Sequence, residues 1–208
     1  MNFFRRTLFI CTALLGGAHA MYAQSAADAF IHIPNSILPY TNQDLRDIAC
    51  HRYTEMRNDS VSTEALVGIE TGLGDTVIVK KLTDTHIEVE LSQNSSIEII
   101  VDTLNTPCLY TIRRYMAPAT DVRIDKWTTD WKHIRTIEPQ LSITDFLSPS
   151  LSTNEREEAT ALFDFPMYDA HWLATEHKIE FTISLPILTQ EDKAKYSKFF
   201  INKQITLD

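Results

Sequence analysis

The sequence predicts an α+β fold: a predominantly antiparallel β meander with an N-terminal helix packed on one face and a short C-terminal helix. Three observations support this class. A helical repeat of apolar residues precedes a long region in which apolar and polar residues alternate. The connections between alternating segments are too short for the crossover helices that parallel strands require. A second helical repeat lies near the C-terminus, and the 208 residues suffice for a sizeable core.

The N-terminal residues have the pattern of an export signal. Arg5 and Arg6 precede an apolar run from Leu8 to Leu15, and small residues then end in Ala18-His19-Ala20. This run is too short to span a bilayer, and no later stretch is long and apolar enough for a transmembrane anchor. We therefore expect an exported protein located in the periplasm or at the cell surface.

Signal cleavage is expected after Ala20 or Ala23, and we favour Ala23, so that the signal peptide covers residues 1–23. Lipid anchoring is not expected, because Cys11 lies within the apolar run and not at a cleavage point. Residues 24–208 then form a single exported domain. Two lobes divided near residues 136–160 are the alternative.

The charge balance argues against nucleic acid as a partner. The formal charge is −9, and it becomes −11 once the two arginines of the signal are removed. Adjacent basic residues occur at Lys80-Lys81 and Arg113-Arg114, where strand geometry sends neighbours to opposite faces. We expect a protein, a peptide or an envelope component as partner, and the sequence leaves the oligomeric state open.

The first predicted element is a helix over residues 41–57, capped by Thr41. Its apolar stripe has helical spacing and needs a sheet to cover. The stripe comprises Leu45, Ile48, Ala49, Tyr53 and Met56.

The region that follows predicts the strands of the meander. Apolar Ile87, Val89 and Leu91 alternate with polar residues, which predicts a hairpin with one dry face. The predicted strands cover residues 77–82, 87–91, 97–101, 109–116 and 122–127.

Residues 135–160 interrupt the alternation with prolines, serines and threonines, and contain one short amphipathic turn at Ile143, Phe146 and Leu147. Beyond them, a helix capped by Thr189 is expected to reach about Phe200. Further strands are predicted at residues 161–165, 168–174, 179–185 and 201–207.

Common catalytic motifs are missing from the chain. The sequence contains no G-x-S-x-G, H-E-x-x-H, C-x-x-C or P-loop pattern. We therefore assign no catalytic residue and expect no cofactor, and the protein is more consistent with a binding module than with an enzyme.

One group of residues has weak metal-ligand character. Asp169 and His171 share a strand face, and His177 lies in the following turn, from which it could fold back. The alternative is an ordinary polar hairpin edge, and we assign no metal site.

A cluster of aromatic and polar residues marks a predicted turn. Trp127 ends a strand, and Asp130, Trp131 and His133 follow it, so the two indoles are expected to lie close together. Aromatic faces beside polar groups bind sugars or peptides, whereas tryptophans across a turn commonly seal the end of a core.

Cys50 and Cys108 remain after removal of the signal, in a compartment that favours oxidation. A disulfide between them and two separate buried thiols are both open, because their separation does not follow from the sequence.

Several segments together resemble the domain of unknown function family 3256, mainly between Phe30 and Leu147, although residues 58–65 depart from its pattern. The resemblance implies an exported, single-module protein of Gram-negative gut and mouth bacteria and supplies no catalytic residue. The segments are Ile33-Pro-Asn-Ser-Ile-Leu-Pro-Tyr40, Arg46-Asp47, Leu82-Thr-Asp-Thr-His-Ile87, Trp131-Lys132 and residues 143–147.

The sequence thus favours an exported, non-enzymatic binding or interaction module of the cell envelope. The main alternative is a small-ligand or carbohydrate-binding protein that uses Trp127 and Trp131, with Tyr168 or Trp172 as further aromatics. A carrier of lipophilic molecules, enclosed by a curled meander, is a third hypothesis that depends on fold analogy.

Overall fold

The computed structural model describes residues 24–58, 68–71, 74–104, 106–116, 119–162, 167–185 and 189–207. The predicted signal peptide lies outside these described residues.

Seven antiparallel strands form the larger sheet, and their spatial order follows their order in the chain. This arrangement confirms the predicted meander. Compared with the prediction, the sheet gains β1 and β7 at its two edges. The strands are β1 (Ile69–Glu70), β2 (Thr76–Leu82), β3 (His86–Ser92), β4 (Ser95–Asp102), β5 (Cys108–Tyr115), β6 (Asp121–Thr128) and β7 (His133–Ile137).

The smaller sheet has three antiparallel strands in the order β10-β9-β8. Its strands are β8 (Met167–Leu173), β9 (Lys178–Ser184) and β10 (Lys203–Thr206). The helices are α1 (Ala26–Ile31), α2 (Gln43–Asn58), α3 (Ile143–Phe146), α4 (Thr153–Leu162) and α5 (Gln190–Tyr196), and a 3₁₀ turn covers Ser197–Phe199.

The predictions for the second half of the chain have mixed outcomes. Thr189 caps α5 as predicted, because its hydroxyl accepts a hydrogen bond from the backbone N–H of Asp192 at 3.1 Å. The predicted strand at 161–165 is wrong at residues 161–162, which are the last two of α4, and residues 163–166 lie outside the described part.

The larger sheet separates two hydrophobic cores. The first core lies between one face of β2–β5 and helices α1 and α2, and contains Ile87, Val89, Ile97 and Ile99. The second core lies on the opposite face, beneath the smaller sheet and helices α3 to α5. The fold is therefore a three-layer α+β arrangement, and the hairpin face expected to be polar and open is covered by a second layer.

Helix α2 is rotated relative to the predicted stripe. Arg46, Ala49 and Cys50 are buried, whereas Ile48 of the predicted stripe is 43% exposed. The cap also differs from the prediction, because the side chain of Asn42, and not of Thr41, accepts the backbone N–H of Leu45 at 2.9 Å. Leu45 and Tyr53 of the predicted stripe still pack against the first core. The six-residue helix α1, which the sequence did not predict, packs beside α2.

The buried Arg46 joins α2 to the segment before it. Its guanidinium donates to the backbone carbonyl of Ile33, to the side chain of Asn35 at 3.0 Å and to the carbonyl of Asn42 at 3.2 Å. The contacts to Ile33 and Asn35 hold residues 33–40, one of the segments that resemble the family, against α2. Among the described residues, no helix combines the length and apolar character needed to cross a membrane.

Candidate functional site

The most densely connected polar group in the described part of the chain lies where the two sheets meet. We call it the interlayer cluster, and it consists of His86, Glu88, Glu98, Arg114, Asp169 and His171.

Strand register places the larger-sheet members of this cluster on one face. Glu88 lies directly opposite Glu98 in the β3–β4 pair, and Arg114 lies opposite Ser96 in the β4–β5 pair. Like charges that face each other across strands are destabilising. Arg114 offsets this repulsion, since its guanidinium contacts Glu98 and lies 3.5 Å from Glu88.

The smaller sheet completes the cluster through the edge of β8. Arg114 donates from Nε to the carbonyl of Ala170 at 2.9 Å and lies 3.2 Å from the carboxylate of Asp169. The backbone N–H of Trp172 donates to Glu98 at 3.2 Å. Two backbone groups of an edge strand are thereby satisfied by buried side chains of the other sheet.

Both histidines of the cluster form hydrogen bonds with its charged members. His171 accepts a hydrogen bond at Nδ1 from Arg114 at 2.7 Å, which leaves its Nε2 proton directed at Asp169, 3.3 Å away. His86 donates from Nε2 to Glu98 at 2.8 Å. Burial lowers the pKa of His86 to about 4, with a smaller contribution from the charge of Lys81, so this imidazole is neutral at neutral pH.

Burial and neighbouring charges act in opposite directions on the pKa values of Arg114 and Asp169. Burial lowers the pKa of Arg114, but Glu88 and Asp169 counteract this, and a guanidinium keeps its proton. Burial alone would raise the pKa of Asp169, yet the hydrogen bond from His171 and the charge of Arg114 outweigh it and lower the pKa. Three carboxylates thus surround one guanidinium.

Three members of the cluster have the geometry of metal ligands. Ligand atoms of Glu88, Glu98 and His171 lie within 4.8 Å of one another. Arg114 already contacts both Glu98 and His171, so a metal ion bound by these three would have to displace the guanidinium. The positive charge between these side chains is therefore the guanidinium of Arg114.

The residues considered for metal binding from the sequence are only partly brought together. Asp169 and His171 interact directly, as their shared strand face predicts. His177 instead lies in the β8–β9 turn with a φ of 51°, and its ring contacts Trp172 at a centroid distance of 5.8 Å. Glu98 and Arg114, the central members, were not singled out by the sequence analysis.

The aromatic turn between β6 and β7 lies on the other face of the larger sheet. The rings of Trp127 and Trp131 are 5.8 Å apart, and the ring of His133 is 4.9 Å from that of Trp127. The sequence correctly predicts that the two indoles are close. Trp131 is only 7% exposed and belongs to the first core, so the pair seals the end of that core.

The backbone of this turn carries strain. Trp131 has a φ of 62°, and its N–H donates to the carbonyl of Thr128 at 3.0 Å. Left-handed backbone is unfavourable for a bulky side chain. Asp130 is held at the surface by hydrogen bonding from Thr128 and by Lys132 at 2.7 Å.

A buried carboxylate that the sequence analysis missed lies beside the turn. Asp125 receives hydrogen bonds from Arg123 at 2.7 Å, from Thr136 at 2.7 Å and from His133 at 3.1 Å. Burial would raise the pKa of Asp125, but these hydrogen bonds outweigh it and lower the pKa. Of the predicted ligand-binding residues, His133 is thus engaged in fixing an acidic group.

The two cysteines are free thiols on opposite sides of the larger sheet. Cys50 lies in the first core and Cys108 in the second, so the disulfide left open by the sequence is not formed. Burial, with the charges of Asp47 and Asp28, raises the pKa of Cys50 to about 12. Burial also raises the pKa of Cys108.

The fold and the interlayer cluster define a class of protein: a three-layer α+β domain whose layers are joined by a buried ionic network. The chain belongs to the family described as "Protein of unknown function (DUF3256)", whose sequence model matches residues 18–208. This match confirms the family inferred from the sequence segments.

A solved structure shares the fold. It is the "Structure of a domain of an uncharacterized protein from Porphyromonas gingivalis W83", with 18% sequence identity and a TM-score of 0.60. The alignment covers 86% of this chain and 90% of that chain. No curated protein matches the chain.

Proposed function

We propose that the protein is an exported, non-enzymatic binding module of the cell envelope that engages an extended segment of a partner protein at strand β7. The observation that carries this proposal is the contrast between two sheet edges. Within the described residues, β7 is the last strand of the larger sheet, and no element pairs with its outer edge.

The outer edge of β8, in contrast, is already hydrogen-bonded to side chains of the larger sheet. The carbonyl of Ala170 and the N–H of Trp172 are occupied by Arg114 and Glu98, so they are not available to another strand. An open strand edge is a template for strand addition, and proteins usually protect edges that have no use. Of these two edges, that of β7, which has no partner strand within the described residues, is therefore the better candidate for a docking surface.

The side chains of β7 are compatible with docking. Ile134 offers apolar surface on this strand, because it is 49% exposed. Asp125 of β6 accepts a hydrogen bond from Thr136 of β7 at 2.7 Å, which ties the edge strand to its neighbour. A preorganised edge loses little entropy when a partner binds.

The protonation states favour binding over acid–base catalysis. General acid–base catalysis works best with a pKa near the operating pH. His86, with a pKa of about 4, and Cys50, with a pKa of about 12, lie far from neutrality, and the pKa of Asp125 is lowered.

The export component of the proposal depends on the sequence pattern of residues 1–23. Under this proposal, the protein resides in the periplasm or at the cell surface. N-terminal sequencing of the protein from fractionated cells tests it, with cleavage after Ala20 or Ala23 as the expected result and an intact N-terminus in the cytoplasm as the contradicting one.

The docking proposal is tested with peptides selected from a display library of extended sequences. Selected peptides should perturb the backbone NMR signals of β7, and Ile134→Lys should abolish binding because it places a charge on the edge. Ile201→Lys is the matched control, since Ile201 is also an exposed isoleucine but lies before β10. Peptides that bind elsewhere, or that tolerate Ile134→Lys, contradict the proposal.

The non-enzymatic component needs its own test. Screening of the purified protein against broad hydrolase substrates at high concentration should give no reproducible turnover. Turnover that is lost on a single polar substitution would overturn this component.

A further inference from the structure

A small cavity lies between the two sheets. Its volume is about 120 Å³, and its walls come from the end of β4, from the β8–β9 turn and from β10. The residues that matter for its chemistry are Ile100, Asp102, Trp172, His177 and Leu207.

The lining combines apolar and aromatic walls with one carboxylate. Ile100 and Leu207 supply aliphatic surface, and Trp172 supplies an indole whose ring contacts the imidazole of His177 at 5.8 Å. Among the described lining residues, Asp102 is the one acidic side chain, and neither lysine nor arginine accompanies it. A cavity with a carboxylate and an indole attracts a cation.

The groups that define this cavity are held in place by other contacts. The backbone N–H of Trp172 is bound by the buried carboxylate of Glu98 at 3.2 Å. One oxygen of Asp102 accepts the N–H of Leu104 at 2.9 Å, which orients the carboxylate. The site is therefore preorganised, and the ordering cost of binding is small.

Size restricts the ligand. A cavity of about 150 Å³ holds one benzene molecule, so a volume of 120 Å³ holds a chain of about five heavy atoms. A primary ammonium on a four-carbon chain has this size, with apolar methylenes for Ile100 and Leu207 and a charge for Asp102. Both a free aliphatic amine and a lysyl side chain present this group.

We propose that this cavity is a binding site for a primary alkylammonium group, in which Asp102 pairs with the ammonium and Trp172 contacts it through its indole. The site is separate from the β7 docking surface, because no residue of β7 lines the cavity. The net charge of −9 also favours approach of cations.

The test is an NMR titration of the full chain with n-butylammonium at low ionic strength, with n-butanol as the uncharged analogue. The indole N–H signal of Trp172, assigned with Trp172→Phe, should shift saturably with n-butylammonium, and n-butanol should bind about fivefold more weakly. Equal affinity for the two compounds, or no saturable shift, would overturn the proposal.

The variant Asp102→Asn should weaken n-butylammonium binding about fivefold, equivalent to about 1 kcal/mol, since an exposed ion pair contributes up to this amount. The asparagine oxygen can still accept the N–H of Leu104, so the turn is retained. Glu176→Gln is the matched control, because Glu176 lies in the β8–β9 turn and does not line the cavity. Unchanged binding in Asp102→Asn would refute the assigned role.

The two sources of the ammonium group are separated by one further ligand. Nα-acetyl-lysine N-methylamide should bind as well as n-butylammonium if the site takes a lysyl side chain from a protein. Failure of this ligand, with n-butylammonium still bound, assigns the cavity to a free amine. Failure of both ligands overturns the proposal.

Discussion

Replacement of Arg114 by methionine tests the interlayer cluster directly. Arg114 is 4% exposed and Glu98 is 1% exposed, so the substitution leaves a carboxylate buried opposite Glu88 without its cation. Loss of one partner from a buried ion pair costs about 3–5 kcal/mol. Domains typically have 5–15 kcal/mol of stability, so the variant should fold but be clearly destabilised.

The measurement is urea unfolding at pH 7, followed by tryptophan fluorescence and far-UV circular dichroism. Arg114→Met should lower the free energy of unfolding by about 3–5 kcal/mol. Lys132→Met is the control, because it breaks a highly exposed ion pair with Asp130 and should cost less than about 1 kcal/mol.

A second variant distinguishes an unpaired charge from lost packing. Arg114→Met combined with Glu98→Gln removes the stranded charge, while the glutamine oxygen can still accept a hydrogen bond from His86 or from the N–H of Trp172. This double variant should recover part of the lost stability. The reasoning is refuted if Arg114→Met costs no more than Lys132→Met, or if the second substitution brings no recovery.

Three further predictions follow from buried groups. The pKa of His86 is about 4 in the folded protein, against an ordinary value of 6.5. Between these two pH values the unfolded chain binds a proton at His86 that the folded protein does not bind. The free energy of unfolding should therefore fall as the pH drops from 6.5 to 4, by up to roughly 3 kcal/mol. Urea midpoints of His86→Gln should lose this dependence, whereas those of the exposed His51→Gln should keep it. Arg46→Met should lower the free energy of unfolding in urea by about 1–3 kcal/mol, because it leaves the buried carbonyl of Ile33 without its hydrogen bond. A similar loss for the exposed Arg52→Met would contradict this role. Cys50, with a pKa of about 12, should react with iodoacetamide at pH 8 only after denaturation, and rapid labelling of the native protein would show that the thiol is accessible.

The meander was predictable because period-two alternation is a local property. The residues of β3 and β4 alternate in the sequence, and short connections force them to pair as antiparallel neighbours. The cap at Thr189 was predictable for the same reason, since a hydroxyl and the N–H it binds are three residues apart. Such features need no knowledge of tertiary contacts.

The elements that escaped prediction depend on tertiary context. Strand β7 alternates only weakly, because its first three residues are all exposed, and the register shift beside Ile134 breaks the period. Helix α4 is rich in charge because only Ala159 among its residues is buried. Helix α1 is too short to give a helical repeat and is fixed by its packing against β3 and β4.

The interlayer cluster could not be predicted because its members come from distant parts of the chain. His86 is 12 residues from Glu98, and Glu98 is 74 residues from the N–H of Trp172 that it binds. In the sequence, the polar residues of β3 and β4 have the pattern of a solvated strand face. Only the docking of the smaller sheet makes them buried.

The position of the cluster explains how a three-stranded sheet can dock on a sheet whose covered face is half polar. Where Tyr110, Ile112 and Ile124 form that face, hydrophobic burial is sufficient to hold the second layer. Where His86 and Glu98 occupy it, burial would be costly without partners, and Arg114 together with the backbone of β8 supplies them. The same contacts that satisfy the buried charges also close the edge of β8. Because Arg114 both pairs with the buried carboxylates and occupies the edge of β8, a variant that removes Arg114 should loosen the smaller sheet and expose a second strand edge. We therefore expect increased aggregation as well as lower stability.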